Sequence, residues 1–163
     1  MIKDGISDAQ KICIVGASYG GYAALMGAVK TPGFYQCAIS VAGVGDVFQL
    51  VRSNRDFPES YNISDEQVGK LGSDLKDISP VNHADKIQIS VLLIHGDADR
   101  QVPAEHSERM YKALQGLDKP VTYITLADED HCLANEDNRL QDFFAMDQFL
   151  NQHLPIEPHS HKR

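Results

Sequence analysis

Gly16-Ala17-Ser18-Tyr19-Gly20 places a serine with glycine two positions to either side, and it is the first cluster in this chain able to do chemistry. Glycines at that spacing permit a sharp, strained turn that lifts a hydroxyl clear of its surroundings, as a nucleophile requires. A serine hydroxyl attacks only when a base takes its proton. Two later segments supply the partners. His95-Gly96-Asp97-Ala98-Asp99 offers two carboxylates able to orient an imidazole, and Asp128-Glu129-Asp130-His131-Cys132 offers a histidine. An imidazole with an ordinary pKa of about 6.5 suits general-base work at neutral pH. Serine, then aspartate, then histidine is the chain order that accompanies a G-x-S-x-G turn.

Rival chemistries fail on the same residues. Gly16 to Gly21 has the outer spacing of a phosphate loop, but Tyr22-Ala23 stands where Lys-Ser/Thr must hold phosphate and magnesium. A dinucleotide fingerprint needs its second glycine where Ser18 stands. The acidic segment after His95 lacks the sixth-position glycine of a calcium loop, so no metal is expected. Cys132 adjoins His131, but sequence neighbours rarely form a thiol–imidazole pair. His83, His106, His153, His159 and His161 read as bystanders without visible partners.

The elements must bring these segments together. Residues 10–16 form a short apolar run that predicts a buried strand, and 19–30 predict a helix stopped by Thr31-Pro32-Gly33. Strands follow at 36–42, 89–96 and 121–127. A helix begins near Val102-Pro103 and ends at Gly116, and a last helix spans 136–153 with Leu140, Phe143, Phe144 and Leu150 at helical spacing. Residues 43–87 read as an excursion of short helices and loops over one end of the sheet, and 154–163 as an unstructured tail. Strands alternating with helices imply an α/β fold with a parallel sheet covered on both faces. Each chemical segment then falls at the carboxyl end of a strand, where such sheets gather their sites.

Composition sets the outer bounds. A chain of 163 residues, 42% hydrophobic and 23% charged, fits one globular domain, residues 1–153 with the tail behind it. A net charge of −8 without a basic cluster argues against nucleic acid as a partner. No uncharged apolar run is long enough to span a membrane. Three widely spaced cysteines fit neither a disulfide framework nor a zinc motif, and Cys13 and Cys37 read as small hydrophobes within strands. The first ten residues lack the apolar core of a signal peptide, and Asn62-Ile63-Ser64 matches a glycosylation triplet that chance often produces.

GASYGGYAALM, LLIHGDADRQVP and DEDHCL together resemble the C-terminal catalytic domain of the prolyl oligopeptidase family of serine peptidases, over nearly the whole chain. The resemblance implies an α/β-hydrolase fold truncated to its C-terminal half, about four parallel strands with flanking helices. Carried over by position, Ser18 is the nucleophile, Asp99 the acid, with Asp97 the runner-up, and His131 the base. The backbone N–H of Tyr19 is one oxyanion donor, and Tyr22, Val44, Val47, Phe48 and Val102 line the pocket for the residue before the scissile bond. The family's other oxyanion donor lies upstream of the nucleophile strand, as do the first four strands of its sheet and the β-propeller many members carry. Met1 is therefore expected to be internal to a longer peptidase. That makes the isolated chain a weak catalyst, its natural partners being a peptide and the preceding part of the protein. No cofactor is implied, and the compartment stays open between cytoplasmic and periplasmic or secreted. Strand 10–16, left at a sheet edge, is expected to pair two chains into a homodimer. Two alternatives keep the fold: a carboxylesterase using the same machinery, and a non-catalytic interaction domain.

Overall fold

Successive residues of SVLLIHG point to opposite sides of the sheet, Val91 and Leu93 into one cluster of buried side chains and Leu92 and Ile94 into another. That strand is apolar throughout because helices cover both of its faces. The structure, a computed structural model, describes residues 2–4, 8–54, 68 and 71–154. Four strands, β1 (Cys13–Ala17), β2 (Cys37–Val41), β3 (Ser90–Gly96) and β4 (Val121–Leu126), lie parallel and side by side in chain order. The glycosylation triplet, the middle of the expected excursion and the tail from residue 155 lie outside the described residues.

One face is covered by α1 (Tyr19–Lys30), a 3₁₀ stretch (Pro80–Lys86) and a helix at Glu105–Gln115, which bury Leu25, Ala84, Met110 and Leu114 against Val91 and Leu93. Beyond the carboxyl end of β2 lie two short helices, α2 (Val47–Asn54) and α3 (Ser73–Asp77), closed around Val47, Val51 and Leu75. The Glu105–Gln115 helix is therefore α4, and it starts two residues after Pro103. The last helix, α5 (Glu136–His153), lies on the other face, with Met146, Phe149 and Leu150 against Ile39, Leu92 and Leu126. Asn135 caps it by accepting the N–H of Asp137 at 2.9 Å, and Glu136 and Asp137 in the first turn complement its dipole.

Three expectations need correction. Cys13 and Cys37 are not independent hydrophobes: they are joined by a disulfide. They occupy facing positions on adjacent strands, with Cα atoms 4.7 Å apart, a juxtaposition that a separation of 24 residues does not reveal. The apolar spacing in the last helix does not mark its inward face. Leu140, Phe143 and Phe144 are 49%, 62% and 66% exposed, while Asp142 is buried. Nor is the first strand wholly buried: β1 sits at an edge of the sheet and Val15 is 48% exposed.

Candidate active site

Ser18 follows β1 and precedes α1 with φ 54° and ψ −120°, a left-handed backbone that a residue with a Cβ adopts under strain of about 1–3 kcal/mol. Its neighbours hold it there. The N–H of Ser18 donates to the Val41 carbonyl at 2.9 Å, and its own carbonyl accepts the first helical bond from Tyr22 N at 3.1 Å. Gly16 is required because a Cβ would lie 2.1 Å from the Gly20 carbonyl oxygen. Gly20 itself faces open space; Gly21 makes the close helix–strand approach, 2.8 Å from Gly43 Cα to where a Cβ would stand. Tyr19 opens the helix, so its N–H has no carbonyl within that helix to bond.

The ends of β3 and β4 bring the other two residues to this hydroxyl. His131 Nε2 lies 2.9 Å from Ser18 Oγ, and His131 Nδ1 lies 2.7 Å from Asp99 Oδ2. A carboxylate only accepts, so Nδ1 carries the proton and Nε2 presents its lone pair to the serine O–H. Asp99 is buried, and its Oδ1 accepts the N–H groups of Gln101 and Val102, both at 2.9 Å. Those bonds orient the carboxylate toward His131 and satisfy its second oxygen.

The two loops are stitched to each other. Asp97 Oδ1 accepts the Asp128 N–H at 2.7 Å, and the N–H of Ala98 donates to the Glu129 carbonyl at 3.0 Å. Gly96 permits this contact, since a Cβ there would meet that same carbonyl oxygen at 2.3 Å. Asp97, the runner-up acid, is thus occupied in joining the loops. Asp130 Oδ1 accepts the Cys132 N–H at 2.8 Å, a local turn that supports His131 between them.

Beside Ser18 opens an apolar cavity of about 170 Å³ lined by Tyr19, Tyr22, Val44, Val47, Leu50 and, from further along the chain, Val68 and Ile78. Burial raises the pKa of the Tyr22 phenol. Of the five pocket residues expected from the sequence, Tyr22, Val44 and Val47 line this cavity. Phe48 lines a separate cleft with Arg52 and Arg109 and lies 5.1 Å beneath the Lys76 ammonium. Val102 is buried among Val44, Val47, Val51 and Leu75. Among the described residues no three potential ligands cluster to hold a metal ion.

A sequence model of the prolyl oligopeptidase family matches residues 1–157. The chain belongs to that family. It is 30% identical over 162 residues to dipeptidyl aminopeptidase BIII of Pseudoxanthomonas mexicana, a match that covers 94% of this chain and 23% of that protein. It is 24% identical over 155 residues to the acylamino-acid-releasing enzyme of Rattus norvegicus, covering 90% of this chain and 21% of the relative. Among solved structures, a Mycobacterium tuberculosis puromycin-hydrolyzing peptidase superposes with a TM-score of 0.85 at 28% identity, over 97% of this chain and 24% of that one. The four parallel strands with flanking helices are an α/β-hydrolase arrangement, and the chain spans about a quarter of the length of these relatives.

Sequence reasoning missed parts of this family member's site. Leu50 falls one helical turn after Val47, a spacing that places it on the cavity side of α2; Val68 and Ile78 carry no such signal, because only tertiary packing brings them in. Of the histidines read as bystanders, the three among the described residues have partners, and His159 and His161 lie outside them. His106 is buried and its Nδ1 accepts the Asp46 N–H at 3.3 Å, His83 Nε2 lies 2.7 Å from the Asp77 carbonyl, and His153 packs on Phe149. His95 is fully buried behind Asp99.

Proposed function

We propose that this chain carries the nucleophile, acid and base of a serine peptidase. The observation that supports the reading best is the unbroken line from Ser18 Oγ through the His131 ring to Asp99, with the serine on a strained turn at a strand end. His131 Nε2 takes the hydroxyl proton as Ser18 Oγ bonds to the peptide carbonyl carbon. As the C–N bond breaks, the same nitrogen delivers that proton to the departing amine. Water, deprotonated in turn by His131, then attacks the acyl-enzyme and releases Ser18. Asp99 holds the ring in the working tautomer and stabilises the imidazolium that forms at each stage.

The Tyr19 N–H supplies one donor to the oxyanion, and the apolar cavity beside Ser18 receives the side chain preceding the scissile bond. A second donor comes from a part of the protein beyond this chain, whose relatives are about four times as long. Losing one such donor typically slows the chemical step about 100- to 1,000-fold, so these 163 residues alone are a poor peptidase. Peptide is favoured over ester as the substrate by the relatives' names, two of which are peptidases and the third an acylamino-acid-releasing enzyme.

A fluorophosphonate probe tests the reading on the full-length protein. We expect one label per chain, on Ser18, with loss of labelling and of peptide turnover in Ser18→Ala. Labelling that survives this substitution, or an intact protein that never labels, contradicts it.

A further inference from the structure

His95 contributes nothing to the Ser18–His131–Asp99 line itself, yet every polar atom of its ring is committed. Nε2 lies 2.8 Å from the Val102 carbonyl oxygen and 3.4 Å from Asp99 Oδ2. A carbonyl oxygen only accepts, so Nε2 carries the ring proton. Nδ1, 2.7 Å from Ser107 Oγ, is then the acceptor of that hydroxyl's proton. Burial lowers the pKa of this imidazole and keeps it neutral. Val102 is consequently gripped at both ends: its carbonyl takes the His95 N–H, and its own N–H goes to Asp99 Oδ1. Ser107 belongs to α4, so one ring ties β3, the acid-bearing loop and α4 together.

We propose that His95 is a positioning residue for the acid: through Val102, and by the approach of its own N–H to Oδ2, it keeps the Asp99 carboxylate aimed at His131 Nδ1 without adding a charge. Neutrality is the point of using a buried imidazole here. A cation at this place would compete with the His131 ring for the same oxygen, 2.7 Å from one and 3.4 Å from the other. The titratable groups that act on His95 are Asp99 and, beyond it, His131, with His106 close by on α4. This inference rests on the peptidase reading of Ser18, His131 and Asp99.

The test measures the rate of fluorophosphonate labelling of Ser18 against pH in the full-length protein and in three variants. His95→Gln keeps an N–H donor near the Nε2 position, His95→Leu removes it, and Ser107→Ala only frees the ring at Nδ1. With Asp99 loosened, the His131 imidazolium loses stabilisation. His95→Leu should then label about 100-fold more slowly at its plateau, with the acid limb of the profile displaced to lower pH by roughly one unit. His95→Gln should recover most of the rate and restore the midpoint. Ser107→Ala should shift both in the same direction by a smaller amount, which keeps the inference exposed if the leucine variant does not fold. A folded His95→Leu with wild-type rate and midpoint overturns it. So does a glutamine variant as slow as the leucine variant, or a slowed Ser107→Ala whose midpoint stays in place. Wild-type protein that never labels removes the peptidase reading and this inference with it; normal wild-type labelling with unmoved variants removes this inference alone.

Discussion

In the proposed peptidase, Asp99 governs the His131 tautomer on which the Ser18 hydroxyl depends. Asp99→Asn keeps the shape but gives His131 a neighbour that no longer demands the Nδ1–H tautomer, so peptide turnover in the full-length protein should fall about 10⁴-fold with normal folding. Wild-type turnover in that variant would show that Asp99 is not the acid. His106 answers a different question, the response of stability to acid. Burial lowers its pKa from 6.5 to about 4, so the unfolded chain binds the proton more tightly than the folded one. Stability contributed by the neutral ring is complete above 6.5, is lost as pH falls toward 4, and amounts to about 3 kcal/mol over that window. Thermal unfolding at stepped pH should show this loss, and His106→Asn, which keeps an acceptor for the Asp46 N–H but does not titrate, should flatten it. The segments holding Asp99 and His131 were legible from residue type and chain order, and the choice of Asp99 over Asp97 came from the family resemblance. His95 and His106 were not legible, since a buried imidazole is recognised only by what surrounds it.

At the scale of elements, β1, which leads into Ser18, rests on β2 alone among the described strands, and the Cys13–Cys37 bridge fastens that pair. Closing a loop of 24 residues contributes about 3 kcal/mol in the chain-entropy account, so a thiol reductant should lower the midpoint of thermal unfolding by roughly 10 °C. A Cys13→Ser, Cys37→Ser double variant should already unfold at the lower temperature and ignore the reductant. An unchanged midpoint in reduced wild-type protein would mean that the bridge adds nothing. Element types and order follow from apolar runs punctuated by glycine and proline, and helices α1 and α5 begin and end where those signals place them. The inward face of α5 did not follow. Its periodicity groups Leu140, Phe143, Phe144 and Leu150, and of these Leu150 meets the sheet, beside Met146 and Phe149, while the other three are exposed. Helical spacing says which residues share a face, and only the position of the sheet says whether that face is covered.

For the whole molecule, the edge of β1, with Val15 exposed, and the apolar flank of α5 are surfaces that a folded protein seldom leaves to water. The 163 residues alone should therefore self-associate, and Val15→Lys should shift sedimentation toward monomer without changing the fold. A monomeric wild-type chain at high concentration would refute this. A polypeptide as long as the relatives would have further chain to cover these surfaces. Thermal motion should treat the contacts of the Ser18–His131–Asp99 line unequally. Asp99 and His131 stand on loops bonded to one another through Asp97, Asp128, Ala98 and Glu129, whereas Ser18 belongs to a different strand end. Fluctuations of those loops carry Asp99 and His131 together as one body. The spread of Asp99–His131 separations should accordingly be narrow and that of His131–Ser18 broad, so that momentary lapses of competence come from the hydroxyl's side of the line.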